Sequence, residues 1–457
     1  MDFQGYLKQD CLGLIDAVAS NKASHQEILE AARLALRRIK SWNVVDEIYR
    51  ESKVEVQGMV LSAIPMLHKD SSSGAIAGFP LHYGSRLGFG NIAKTTDQLL
   101  AKLLSLGACV VGRSRVPELM VSVCGDNAAL GSVPNPFNSA FASGGSTAGL
   151  SALALGAIPV VQGADAGGSL RIPASWAGCY SMKPSRTHLS ATADNCFGLD
   201  ESFVATRSLR DLQFFERLLR PYGTHDVLPL KPMRGRKVVR IGCCRRFFPH
   251  LPVDASHLRI LDRFVSQARS QGMLVEEYHF GLCFDEYSEL LFNIFSIDLI
   301  NLVDKLAREF NRSPEKYLQG YLFDWYRSSF AFTESASEHS DIIGRLTRFS
   351  TAVDAAFSRF DYLISPVTAL PPPALNTLHP LRDFDARKLN RSFEQIVHFC
   401  ALFNMSGHPA LSLPFGFSDQ GTPCGVQVVA ARGGDAGLLE FAHQFDLGFV
   451  APESYLH

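Results

Sequence analysis

The chain has 457 residues, 46% of them apolar and 19% charged, with a formal net charge of −1, a globular composition with length enough for a large core. A balance this close to neutral gives no electrostatic basis for binding nucleic acid or an anionic membrane surface. The ten cysteines are scattered, with no C-x-x-C and only Cys243 and Cys244 adjacent. They outline neither a disulfide framework nor a metal site, and a reducing compartment suits them best.

In chain order, "MDFQGYLKQDCLGLIDAVAS" carries acidic residues early and lacks the apolar core of a signal peptide, so a cytoplasmic location is expected. Ser24 and Glu27 form a capping box ahead of "EILEAARLALRRIKSW", where Ile28, Ala32, Ala35 and Ile39 share one helical face. The first 70 residues are read as a helical part. "TTDQLLAKLLSLG" reads as a helix capped by Thr95 or Thr96 and stopped by Gly107, running into the strand pattern "ACVVG". "STAGLSALALGA" followed by "IPVVQG" repeats that order. The longest apolar run, "LSALALGAIPVV", is broken by Gly156 and Pro159, so no transmembrane span is expected. "PLKPMRGR", near Pro229–Arg236, reads as a linker, and residues 241–348 as a mainly helical region rich in aromatics and charge. "FDYLISPVTALPPP", "GHPALSLPFGF" and "GVQVVAA" return to strand patterns. The alternation predicts an α/β layer structure.

Chemistry concentrates in "GADAGGSLRIPASWAGCYSMKPS", Gly163 to Ser185. Glycines let the backbone turn sharply and let another group approach. Successive N–H groups in such a turn hold an anion, and a serine beside them has what acyl transfer needs. The plainer reading is a tight Gly-rich turn whose serine caps the next helix. Upstream, "FASGGSTAGL" adds a second glycine–serine element, and the intervening helix and strand could bring Ser146 and Ser169 to one place.

This stretch resembles the signature of the amidase signature family, in which GGSS-type and GTDxGGS-type segments supply two serines of a Ser–cis-Ser–Lys triad. The resemblance implies Ser169 as the acyl-forming nucleophile and Ser146 as the serine held by a cis peptide. It implies Asp165 and Arg171 as supports of the loop. It also implies Ala166, Gly167, Gly168 and Gly145 as oxyanion or substrate-binding positions. "LLSLGACVVGRSRVPELM", "SVPNPFN", "FDYLISPVTALPPP" and "FNMSGHPALSLPFGFSDQGTPCGVQVVAARGGDAGLLEFAHQFD" follow the family in order; only residues 241–348 have no counterpart. The implied fold is a central mixed sheet covered by helices on both faces, in one amidase-like domain over residues 1–457. The implied activity is acyl transfer at an amide C–N bond of a small-molecule amide or acyl substrate: hydrolysis, amide transfer or amide formation. No cofactor, metal, nucleic acid or membrane partner is expected, and a homodimer is in keeping with the family.

The family's triad lysine lies in a segment reading roughly "AGxPxxVKDN". Aligned on "IAGFPLHYGSRLGFGN", this chain lacks it, as if residues were deleted between Leu81 and Gly84. A serine without its base loses about 10²–10⁴-fold in rate. On this alignment His82 and Tyr83, at the junction, are the candidate substitute bases, and no lysine is expected beside Ser146. Lys94 reads as a solvated lysine, Lys183 as structural, and Ser313–Lys316 as a helix start; no specific catalytic role is inferred for His408. Met120, Cys124, Phe197, Phe323, Trp325 and Tyr326 are candidate pocket residues, and the apolar content suggests an aromatic or acyl substrate. Two readings stay open at this point: an amidase-type enzyme, or an amidase-like pseudoenzyme that binds a small ligand.

Overall fold

The computed structural model describes residues 1–49, 59–62, 64–186, 196–220, 238–318, 320–330, 336–379, 385–453 and 455. Its strands are β1 (Val45–Ile48), β2 (Pro65–Lys69), β3 (Cys109–Ser114), β4 (Val160–Asp165), β5 (Tyr180–Lys183), β6 (Glu201–Thr206), β7 (Arg240–Cys243), β8 (Leu274–Glu277), β9 (Tyr362–Pro366), β10 (Ala410–Phe417) and β11 (Pro423–Val429). They form one mixed sheet in the order β1-β3-β2-β4-β6-β5-β10-β11-β9-β7-β8. β2 runs parallel to both β3 and β4, whereas β4 pairs antiparallel with β6. The carboxyl ends of β2 and β4 therefore lie at the same edge of the sheet.

Successive side chains leave a strand on opposite faces, and the core obeys this. In β9, Tyr362 and Ile364 enter one apolar cluster and Leu363 the other; in β10, Leu411, Leu413 and Phe415 oppose Ala410 in the same way. The first cluster is closed by the helices His25–Arg38, Gln98–Ser105, Leu209–Leu219, Ala255–Ser270 and Asp435–Ala442. The second is closed by Phe284–Phe310, Tyr321–Ser329, Ala336–Phe357 and Ala386–Ser406. Helices thus cover both faces of a mixed sheet, as the α/β reading requires. Among the described residues no helix is long and apolar enough to cross a membrane.

Local signals behave as their chemistry dictates. Ser24 Oγ accepts the Glu27 N–H and the Glu27 carboxylate accepts the Ser24 N–H, completing the capping box. Pro314 opens a short helix directly after Ser313. Two expectations need correction, and a third holds with an addition. The helix after Thr96 is capped by Asp97, which accepts the N–H groups of Leu99 and Leu100; Thr96 Oγ1 instead accepts the Ala77 N–H from a neighbouring loop. The first 70 residues are helical only as far as the turn at Lys40–Trp42, because Val45–Ile48 and Pro65–Lys69 find ladder partners in β3 and β4. Residues 241–348 are mainly helical, but β7 and β8 add a parallel pair at the sheet edge. The linker expected at Pro229–Arg236 lies outside the described residues.

Candidate active site

β4 is buried along its whole length and ends on Asp165. The chain then turns through Ala166–Leu170 into the helix Arg171–Ala177. The Asp165 carboxylate organises this turn, accepting the N–H groups of Gly168 (2.7 Å), Arg171 (3.2 Å) and Leu170 (3.3 Å). The Arg171 guanidinium closes on the same carboxylate, with Nη2 at 2.7 Å and Nε at 2.9 Å. Burial alone would raise the Asp165 pKa; the charge and hydrogen bonds of Arg171, with those of Asn404, pull it well below the usual carboxylate range. Arg171 also donates to Asn404 Oδ1, Gln427 Oε1 and the Cys400 carbonyl, tying the turn to the helix Ala386–Ser406 and to β11. Gly168 has φ +125°, and a Cβ there would lie 2.6 Å from Ile172 Cδ1. Only glycine fits.

The second element approaches from the other side. The Gly145–Ser146 peptide is cis, and the Thr147 N–H donates to the Ser169 carbonyl at 3.2 Å, tying the two serine segments together. Lys69 Nζ donates to Ser146 Oγ at 2.8 Å and to the Ala164 carbonyl at 3.3 Å. Lys69 is the last residue of β2 and is only 3% exposed. Burial lowers its pKa to about 8, against the opposing pull of Asp200 and Asp165. Burial likewise raises Asp200 to about 6, with Lys69 working against it.

Lys69, Ser146 and Ser169 open onto one cavity of about 850 Å³, which Gly145, Ala166 and Gly167 also line. The expected oxyanion positions divide into two groups. The Gly168 N–H is committed to Asp165 and the Gly145 N–H to the Val123 carbonyl at 2.7 Å, so neither amide is available to a substrate. Among the described residues no hydrogen bond engages the N–H groups of Ala166, Gly167 or Ser169. Of the six pocket candidates, Met120, Phe197 and Trp325 line the cavity, whereas Cys124, Phe323 and Tyr326 do not.

The expectation that no lysine stands beside Ser146 is wrong. The alignment anchors the family's "AGxPxxVKDN" on "AGFPL", Ala77 to Leu81, whereas the strand that delivers the lysine is "PMLHK", Pro65 to Lys69. "IPMLHKDS" carried the signal: an apolar, buried run of strand length ending in Lys-Asp before a serine-rich turn, with functional groups at the carboxyl end of a strand. "AGFPL" belongs to the loop that follows. The Asp70 carboxylate accepts the N–H groups of His82 (2.7 Å) and Gly84 (2.9 Å), folding that loop back against the strand end. His82 and Tyr83 have other occupations. His82 Nδ1 lies 3.2 Å from Arg113 Nη2 and its ring packs on Phe89. Tyr83 lines the cavity, but its hydroxyl is 3.2 Å from Ser72 Oγ. Lys94 is exposed and paired with Glu309. His408 stacks on Phe357 beside Asp354. Lys183 is buried, its ammonium on the Pro184 carbonyl. Asp200, Asn404 and Gln427 also belong to the site's surroundings, and nothing local in the sequence marks them.

Comparison with known proteins bears on the family and the fold. The lipoamidase of Enterococcus faecalis is 24% identical over 96% of this chain, which spans 63% of that longer protein. The 6-aminohexanoate-cyclic-dimer hydrolase of Paenarthrobacter ureafaciens is 26% identical over 96% of this chain and 94% of its own length. A solved structure of a 6-aminohexanoate cyclic dimer hydrolase with substrate superposes with a TM-score of 0.88, covering 98% of this chain and 100% of that one at 22% identity, a likeness of fold. The family model described as Amidase matches residues 28–439, and by that match the chain belongs to the amidase family, the amidase signature proteins.

Proposed function

We propose that this protein hydrolyses the C–N bond of an amide, with Ser169 as nucleophile, Ser146 as proton relay and Lys69 as the base. The observation that carries the reading is the 2.8 Å contact between Lys69 Nζ and Ser146 Oγ at the edge of the cavity that Ser169 lines. With Lys69 neutral, its lone pair takes the Ser146 proton as Ser146 takes that of Ser169. Ser169 Oγ bonds to the amide carbon, and the oxyanion is met by the N–H groups of Ala166, Gly167 and Ser169. The proton returns through Ser146 to the nitrogen, the C–N bond breaks, and the amine leaves. Water then attacks the acyl-serine by the same relay and releases the acid; a second amine in place of water would give amide transfer. The pseudoenzyme alternative presupposes a missing lysine, and Lys69 beside Ser146 supports the enzyme reading instead.

The shape of the cavity bears on the substrate. Along the helix Phe284–Phe310, the residues Leu291, Phe295, Asp298, Leu302, Lys305 and Glu309 all line it. Their spacing of three and four is one helical face, about 27 Å long at 1.5 Å per residue. Phe295 lies against Gly167, 3.3 Å from where a Cβ would stand. The face thus extends a short way from the nucleophile's turn to the apolar Leu291 and a long way to the charged Lys305 and Glu309. This supports an amide with one compact apolar arm and one extended arm that ends in a polar group.

The test is intact-mass analysis after treatment with a fluorophosphonate, alongside amine release from a panel of aryl and acyl amides. One adduct that disappears in Ser169→Ala, with amine release by wild type, is expected. A wild-type protein that resists the probe and every amide, yet binds them, would overturn the reading.

A further inference from the structure

His68 precedes Lys69 in β2, so the two side chains leave the strand on opposite faces. The His68 Nδ1 is 2.6 Å from the Gly74 carbonyl and its Nε2 is 2.7 Å from the Tyr49 hydroxyl. A carbonyl only accepts, so Nδ1 carries the proton and Nε2 accepts from Tyr49. Both side chains are buried, and burial pushes the imidazole down to about 4, which keeps it neutral. Gly74 closes the serine-rich turn after Lys69. A Cβ on Gly74 would stand 1.9 Å from the Lys69 carbonyl oxygen, so the turn is pressed onto the lysine's own backbone. On the other side Gln162, from β4, accepts the Lys69 N–H (3.1 Å) and donates to the Ser73 carbonyl (2.8 Å). Ser71, Ser72 and Ser73 form the cavity wall next to Lys69.

We propose that Tyr49, His68 and Gln162 are positioning residues for Lys69: they hold the Ser71–Gly74 turn down on its backbone and so keep its Nζ buried beside Ser146. The inference rests on the Lys69 relay proposed above. None of the three touches Ser146 or Ser169 in a described hydrogen bond; they act through the turn. The amine meets Ser146 Oγ and the Ala164 carbonyl, and the titratable groups that face it are Asp200 and Asp165. Releasing the turn admits water, which favours the charged amine, so less of the neutral base is present at neutral pH.

The experiment is the pH dependence of kcat for amide hydrolysis in wild type, His68→Leu, His68→Asn and Tyr49→Phe. In His68→Leu the rising limb is expected to move up by about one pH unit. Its rate then falls about tenfold at pH 7 and stays within about twofold of wild type near pH 10, at unchanged KM. Asn can still donate to Gly74, so His68→Asn should restore most of the rate at pH 7. Tyr49→Phe should shift the limb less, in the same direction, and serves if His68→Leu does not fold. A wild-type profile in His68→Leu and Tyr49→Phe, or a loss equal at every pH, would overturn the proposal. Failure of the relay itself shows separately, as a wild-type Ser169 that does not label or a Lys69→Met variant that labels normally; either result also removes this proposal.

Discussion

Arg171 and Asp165 form a closed ion pair beneath the Ala166–Leu170 turn, two hydrogen bonds at 2.7 and 2.9 Å between side chains with no exposed surface. Removing one charge of such a pair leaves the other buried and uncompensated, which costs about 3–5 kcal/mol. Asp165→Asn should lose stability of that order in urea unfolding, together with probe labelling of Ser169, because the Gly168 and Arg171 N–H groups lose their charged acceptor. A loss below about 1 kcal/mol with labelling intact would mean that the carboxylate does not shape the turn.

The two glycines of the turn should separate cleanly. Gly168→Ala forces a Cβ to within 2.6 Å of Ile172 and 2.8 Å of Cys400 Cβ at φ +125°, so labelling should fall by at least about 100-fold, as for a displaced catalytic group. Gly167→Ala places a Cβ 3.3 Å from the Phe295 ring and narrows the cavity. That variant should still label with a small probe while KM for bulky amides rises. Equal behaviour of the two variants would contradict the assignment of Gly168 to the scaffold.

The pH profile distinguishes the bases. Burial disfavours the charged form of Lys69 and lowers its pKa to about 8, and only the neutral amine accepts a proton. Activity should therefore rise with pH through about 8 and fall about tenfold per unit below it. His82, whose pKa is lowered by burial and by Arg113, should be dispensable: His82→Ala is expected within about twofold of wild type, since it removes no group of the relay. A limb below about 6.5 that vanishes in His82→Ala would restore the histidine reading.

Much of this site is legible in the sequence. The turn around Ser169 shows itself because a buried strand, an acid, two glycines and a serine leave the chain few conformations. The segment around Ser146 shows itself as a second glycine–serine element, "FASGGSTAGL", and by its resemblance to the amidase signature. Lys69 is harder, because "IPMLHKD" and "FPLHYG" offer similar local patterns fifteen residues apart in the chain. The run ending in Lys-Asp hints at the choice, but pairing with β3 and β4, a long-range property, makes it. Asn404, Gln427 and Asp200 are invisible for the same reason. Each acquires its role only when a helix, a distant strand or a loop end is folded against Asp165 and Lys69. The Asp97 cap shows the limit at small scale: Thr96 is an equally good cap by type, but its hydroxyl is engaged by Ala77.

The most direct test is the rate at which a fluorophosphonate labels Ser169 in Lys69→Met, followed by intact mass at pH 8 beside wild type and Ser169→Ala. Methionine keeps the length of the side chain and removes the amine. The rate is expected to fall by at least about 100-fold, the low end for a lost base, with Ser169→Ala unlabelled. Labelling of Lys69→Met at the wild-type rate would contradict the account: the contact between Lys69 and Ser146 would then be structural only.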